Sequence, residues 1–134
     1  GKYKEYYDVD NTKLKYENEY KNADDAKKAQ LCLNRFFECL SNHDYEKAYS
    51  YLNDTYKENN FSTVYDFMEH VKYNWFEINT FTYTDIEKSG QNYILSGQLY
   101  DLKTEGSYDA EIIDQTFIIK LGTDIRNFEL SFEI

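Results

Sequence analysis

Two side chains in this sequence stand at a spacing that could move a proton: Asp66 and His70, four residues apart in NNFSTVYDFMEHV. On a helix such a pair shares a face, so the carboxylate could orient or polarise the imidazole. Val64, Phe67, Met68 and Val71 define a different, apolar face of the same segment, and the pair is therefore expected to point mainly into solvent. His43 stands in a polar break beside Asp44, where a surface or capping role is expected. Asp101, Asp114 and Gln115 fall in strand-like stretches and would face the concave side of a sheet only in a different register. Asp114 interrupts the apolar run from Ile112 to Ile119; a carboxylate buried there without a partner would be costly, so an outward or edge position is expected. Asp66, His70 and Asp114 are thus the nearest approach to catalytic candidates, and the expected catalytic set is none. No Gly-rich phosphate loop, nucleophile elbow or zinc-ligand spacing occurs, which leaves hydrolase, kinase and metalloenzyme readings without support and implies neither metal nor cofactor.

Cys32 and Cys39 lie seven residues apart in one predicted helix. That spacing separates them by about 10 Å along the axis. A disulfide needs Cα atoms roughly 4.4–6.8 Å apart, so the pair is expected to be two buried structural thiols.

The aromatic residues offer a different chemistry. Phe36, Phe37, Phe67, Trp75 and Phe117 could line an apolar pocket between helices and sheet or simply fill the space there. Further tyrosines could form an exposed patch for a protein or glycan partner, since the ring offers area and the hydroxyl keeps it soluble.

Composition narrows the partners. The 134 residues suit one domain with a real core. With 41% hydrophobic and 19% aromatic residues, a wholly disordered chain is not expected. A formal net charge of −10, with no basic stripe, argues against nucleic acid and anionic lipid surfaces. No stretch reaches the roughly 20 apolar residues of a spanning helix. Gly1 stands where an initiating Met is expected, so the lack of an apolar signal or anchor carries no information.

These side chains must be positioned by elements whose periodicity changes along the chain. Residues 1–21 alternate charge with tyrosine and read as a linker or loosely docked arm, the stalk of any preceding anchor. Residues 22–134 read as one domain. A helix is predicted from about Ala23 to Leu40, capped by Asn22, with Ala26, Ala29, Leu33, Phe36, Phe37 and Leu40 on one face. After Ser41-Asn42-His43, Asp44 caps a second helix bearing Tyr45, Ala48, Tyr49 and Leu52. Asn53 to Asn60 reads as a polar turn. Ser62 or Thr63 then caps a third helix ending near Asn74.

From Trp75 the period falls to two, and strands are expected. A bulge near Asn79-Thr80 would return Phe81 and Tyr83 to the face of Phe76 and Ile78. Turns at Lys88-Ser89-Gly90-Gln91, Glu105-Gly106-Ser107 and Gly122-Thr123-Asp124 separate strands over about 92–103, 108–121 and Phe128 to Ile134. The last strand is expected to hold Ile134 inside the sheet, so that loss of Leu130 to Ile134 abolishes folding. The fold class is α+β: three N-terminal helices packed on a curved four-stranded antiparallel sheet.

The element order, the stretch FFECLSNHDYEKAYSYLND (Phe36 to Asp54) and NNFSTVYDFMEHV (Asn59 to Val71) resemble the nuclear transport factor 2-like superfamily, over about Ala23 to Ile134. The resemblance implies a cone-like fold in which a bent sheet wraps a long helix. The superfamily's usual strand between the second and third helices has a counterpart here only in Thr55 to Phe61. Such domains include isomerases, cyclases and many non-enzymatic modules, so fold alone does not select function. The kinship implies a non-enzymatic bacterial module outside the cytoplasm, secreted or reaching the membrane through an anchor beyond these residues. Its expected function is binding or assembly with a protein partner, with a homodimer through the sheet as one form. The alternative is a small-molecule-binding or isomerase- or cyclase-like protein holding a small apolar ligand between the first helix and the sheet.

Overall fold

In the computed structural model, which describes residues 17–104, 106–108 and 110–134, four side chains start four helices in the same way. Asp24, Asp44, Asn53 and Thr63 each accept a hydrogen bond from the backbone N–H three residues on, meeting one of the donors that a helix start leaves free. They open α2 (Asp25–Ser41), α3 (Tyr45–Ser50), α4 (Asp54–Asn60) and α5 (Val64–Asn74). A shorter helical stretch, α1, covers residues 17–22.

Five helical segments therefore precede the sheet, where three were expected, and the differences have local causes. Asn22 does not cap α2. Its amide instead donates back to the Asn18 carbonyl at 3.0 Å, closing α1, and Asp24 takes the cap. Residues 53–60 form a helix rather than a polar turn. Asn53 caps it, and Tyr56 ties it to the sheet by donating to the Phe132 carbonyl at 2.6 Å; no residue of α4 is buried, so no apolar periodicity marks it. Thr55 to Phe61 is consequently not a strand. The strand-like contact falls just upstream, where Leu52 forms a single parallel bridge with Leu130; Asn53 N donates to Leu130 O at 2.9 Å and Leu130 N to Tyr51 O at 2.8 Å.

The sheet is a four-stranded antiparallel meander in the order β1 (Asn79–Ser89), β2 (Asn92–Asp101), β3 (Ile112–Lys120) and β4 (Glu129–Phe132). Strand structure begins at Asn79 rather than Trp75, because the Asn79 side chain folds the preceding residues into a turn. It accepts from Phe76 N at 3.0 Å and donates to Phe76 O at 2.9 Å. The bulge lies at Tyr83/Asp85 instead of Asn79-Thr80. Gly90, with φ 64°, makes the β1–β2 turn as its position predicts. Glu105 of the β2–β3 turn lies outside the described residues, as do residues 1–16 of the expected arm. β4 stops at Phe132, and Ile134 is 75% exposed, so it does not end inside the sheet.

One face of the sheet meets α2. Cross-strand register aligns Phe81, Leu99 and Ile113 in one row, and Ile86, Leu95, Phe117 and Phe132 in another. The α2 residues Leu33, Phe36, Phe37 and Leu40 are buried against this layer. Each such side chain contributes about 1.5–3 kcal/mol on leaving water. The packed unit also reaches back past the expected boundary at residue 22. Tyr20 is 1% exposed, with its hydroxyl donating to the Gly122 carbonyl at 2.8 Å.

Candidate functional site

The five aromatic side chains singled out between helices and sheet converge on one another. Phe36 meets Phe37, Phe67 and Trp75 with ring centres 5.5, 6.1 and 6.1 Å apart, and Phe37 meets Phe117 at 5.6 Å. Most of these pairs approach edge to face, the arrangement that ring quadrupoles favour. Trp75 spends its indole N–H on the Gln115 side-chain oxygen at 3.1 Å, and the Gln115 amide donates in turn to the Glu133 carbonyl at 2.7 Å. Gln115 therefore faces the helices, which was expected only in a different register, because it shares the inward parity of Phe117 and Ile119. Its alternation with Asp114 was the one signal that could have placed it there.

Asp66 and His70 part company. Asp66 is exposed and accepts from the Ser62 hydroxyl at 3.2 Å. His70 is half-buried, its ring 5.2 Å from that of Phe61, 5.5 Å from Phe132 and 5.8 Å from Trp75. Burial holds its pKa below the ordinary histidine value. The expectation that His70 would point mainly into solvent fails because α4 brings Phe61 over the flank of α5. Asp114 is exposed, as its outward parity requires, and accepts from the Gln98 amide at 3.3 Å.

Elsewhere, shifted groups serve the packing. Burial pushes the Cys32 thiol and the Tyr20 phenol each up to about 12, and raises Cys39 and Tyr56 as well. Both cysteines are free and buried, as their helical spacing implied. Lys103 hydrogen-bonds Glu77 and holds its carboxyl below the usual range. Among the described residues no buried side-chain nitrogen or oxygen lacks a partner, and no cluster of His, Cys, Asp and Glu is arranged to hold a metal. No described helix is long and apolar enough to cross a membrane.

The outer face of the sheet has a different character. Its β2 positions are Ile94, Ser96, Gln98 and Tyr100, and its β3 positions Ile112, Asp114, Thr116 and Ile118. Ile94 lies directly opposite Ile118, Ser96 opposite Thr116 and Tyr100 opposite Ile112. Tyr100 donates to Gln98, which donates to Asp114, so the polar groups are tied along the surface. Of these eight positions only Asp114 is charged, in a chain whose residues are 30% charged. Strand alternation marked these residues as outward, but cross-strand register was needed to show that they form one continuous patch.

No protein-family model matches the chain, and no curated protein or solved structure is significantly similar to it.

Proposed function

We propose that the chain is a non-catalytic binding or assembly module of nuclear transport factor 2-like, cone-like kind, working outside the cytoplasm and contacting a protein partner. The observation that carries this reading is the nearly charge-free outer face of β2 and β3. A chain of net charge −10 repels acidic surfaces over most of its exterior. A patch of isoleucine, threonine, serine and tyrosine offers area that can be desolvated with a single charge, Asp114, which already accepts from the Gln98 amide. The occupant that fits is a second copy, because each face is self-complementary in shape and satisfies its one carboxylate, Asp114, from its own Gln98 amide. Support for the kinship comes from α2 lying on the inner sheet face, the α3 segment DYEKAYS, and the bridge of Leu52 to Leu130. The aromatic packing between α2 and the sheet favours the module over a ligand carrier at that place.

Light scattering of the full chain over a range of concentrations tests the interface. The expected result is a dimer that Ile118→Lys converts to monomer without loss of helix or sheet signal. A wild-type monomer at every concentration would remove self-association through this face. The location is tested by the coding sequence upstream of Gly1: an apolar anchor or signal supports it, and a start codon directly before Lys2 sinks it.

A further inference from the structure

The break between α2 and α3 is closed by two hydrogen bonds: Asp44 N donates to Cys39 O at 2.8 Å, and His43 N to Leu40 O at 3.0 Å. This is the helix ending in which the residue after the cap turns left-handed, a place that favours glycine because a Cβ is strained there. His43 occupies it, with φ 60°. Histidine is among the non-glycine residues that adopt this conformation most readily, at some cost in strain. Here the turn sets an imidazole at the rim of a cleft of about 250 Å³ between the end of α2, the start of α3 and the end of α5.

We propose that this cleft binds a small apolar carboxylate: one ring or branched chain bearing a single carboxylate. Its floor is apolar, formed by Leu40, Val71, Trp75 and Phe76. The volume falls below the roughly 300–1,000 Å³ of drug-sized sites and suits one ring. The rim carries His43, Lys72 and Glu77. Glu77 is paired with Lys103, 2.5 Å away, and lies close enough to His43 for that ring to act on its carboxyl, whereas Lys72 makes no ion pair among the described residues. The Lys72 ammonium lies 5.9 Å from the centre of the Tyr45 ring, and the His43 ring runs nearly parallel to that same ring, at 14°. Tyr45 therefore holds both rim donors on one side of the opening. With Glu77 paired to Lys103, Lys72 is the charged rim group left without an ion pair among the described residues, so an anion is selected over a cation of the same shape. The same chemistry is offered by a free small acid and by the C-terminal residue of a peptide.

Trp75 is the only tryptophan and lines the cleft, so its emission reports occupancy. The full chain is titrated with phenylacetate, phenethylammonium and benzyl alcohol. Phenylacetate is expected to give a saturable change, with the ammonium at least about tenfold weaker, the scale of one lost charge-assisted hydrogen bond. Lys72→Met should weaken phenylacetate to a similar degree with Tm unchanged. His43→Gly should weaken it while raising Tm, since strain is relieved; weaker binding by a more stable protein cannot be blamed on unfolding. A short N-acetylated peptide ending in free-acid Phe, compared with its amide, separates the sources: binding tighter than phenylacetate assigns a chain end, and weaker binding a free acid. The proposal is overturned if phenylacetate does not saturate up to its solubility limit, if the ammonium binds as well, or if Lys72→Met leaves the affinity unchanged.

Discussion

The hydroxyl of Tyr20 donates to the carbonyl of Gly122, 102 positions away in the chain, and so joins the N-terminal helical turn to the β3–β4 connection. Tyr20→Phe should cost about 1 kcal/mol by removing one intramolecular hydrogen bond. Tyr20→Ala should cost about 3–5 kcal/mol, because a fully buried ring leaves a cavity. Urea denaturation of both variants checks the pair; equal small losses would mean that α1 does not hold the core.

Gly97 sits opposite Tyr83, beside the β1 bulge. A methyl group there would overlap the Thr82 carbonyl oxygen and stand 2.6 Å from the Tyr83 Cα, both of them backbone atoms that cannot rotate away. Gly97→Ala is expected to destabilise the fold by roughly 1–3 kcal/mol, the usual cost of overpacking. A thermal melt reads the loss, and a variant as stable as the parent would show the bulge to be plastic.

The last residues divide sharply. Leu130 is fully buried and exchanges backbone hydrogen bonds with the Tyr51–Asn53 segment, while Ile134 is largely exposed. Deleting Ile134 alone should change stability by no more than about 0.5 kcal/mol, as for other surface changes. Deleting Leu130 to Ile134 should abolish cooperative unfolding, since it removes β4 and the partner of Leu52. Circular dichroism melts of the two truncations decide the matter.

His70 gives the fold a pH dependence of known sign. Burial lowers its folded pKa, so the unfolded chain takes up a proton first as the pH falls. Its contribution to stability is complete above the ordinary histidine value of about 6.5 and is lost on acidification through that value toward the lower folded pKa. Urea midpoints between neutral and mildly acid pH should fall less steeply for His70→Gln than for the parent. Parallel slopes would assign the acid loss to carboxylates such as Glu77 and Asp124, whose pKa values are also lowered.

Much of the secondary structure was legible from spacing and caps. Asp44 and Thr63 open helices where an N-cap residue precedes an apolar run, and Gly90 turns β1 into β2. α4 was not legible, because a helix without a buried face leaves no periodic trace and announces itself only through its cap at Asn53. Tyr20 was hidden in the same way: a lone tyrosine among charges looks like linker until its docking place is known. His70 was assigned to the solvent side by the arc of α5 alone, yet the rings that cover it come from Phe61 and Phe132, outside that helix.

Local pattern by itself determined that helices come first and antiparallel strands afterwards, that Cys32 and Cys39 stay unpaired, and that Asp114 faces outward. It could do so because capping, helical rise and strand alternation depend on residues within a few positions of one another. Tertiary structure alone decided that Gln115 holds the Trp75 indole, that Leu52 rather than Thr55 to Phe61 makes the backbone bridge to β4, and that His43, Tyr45 and Lys72 share the lining of one cleft. Those relationships join residues tens of positions apart, and which of them meet depends on the packing of the whole core.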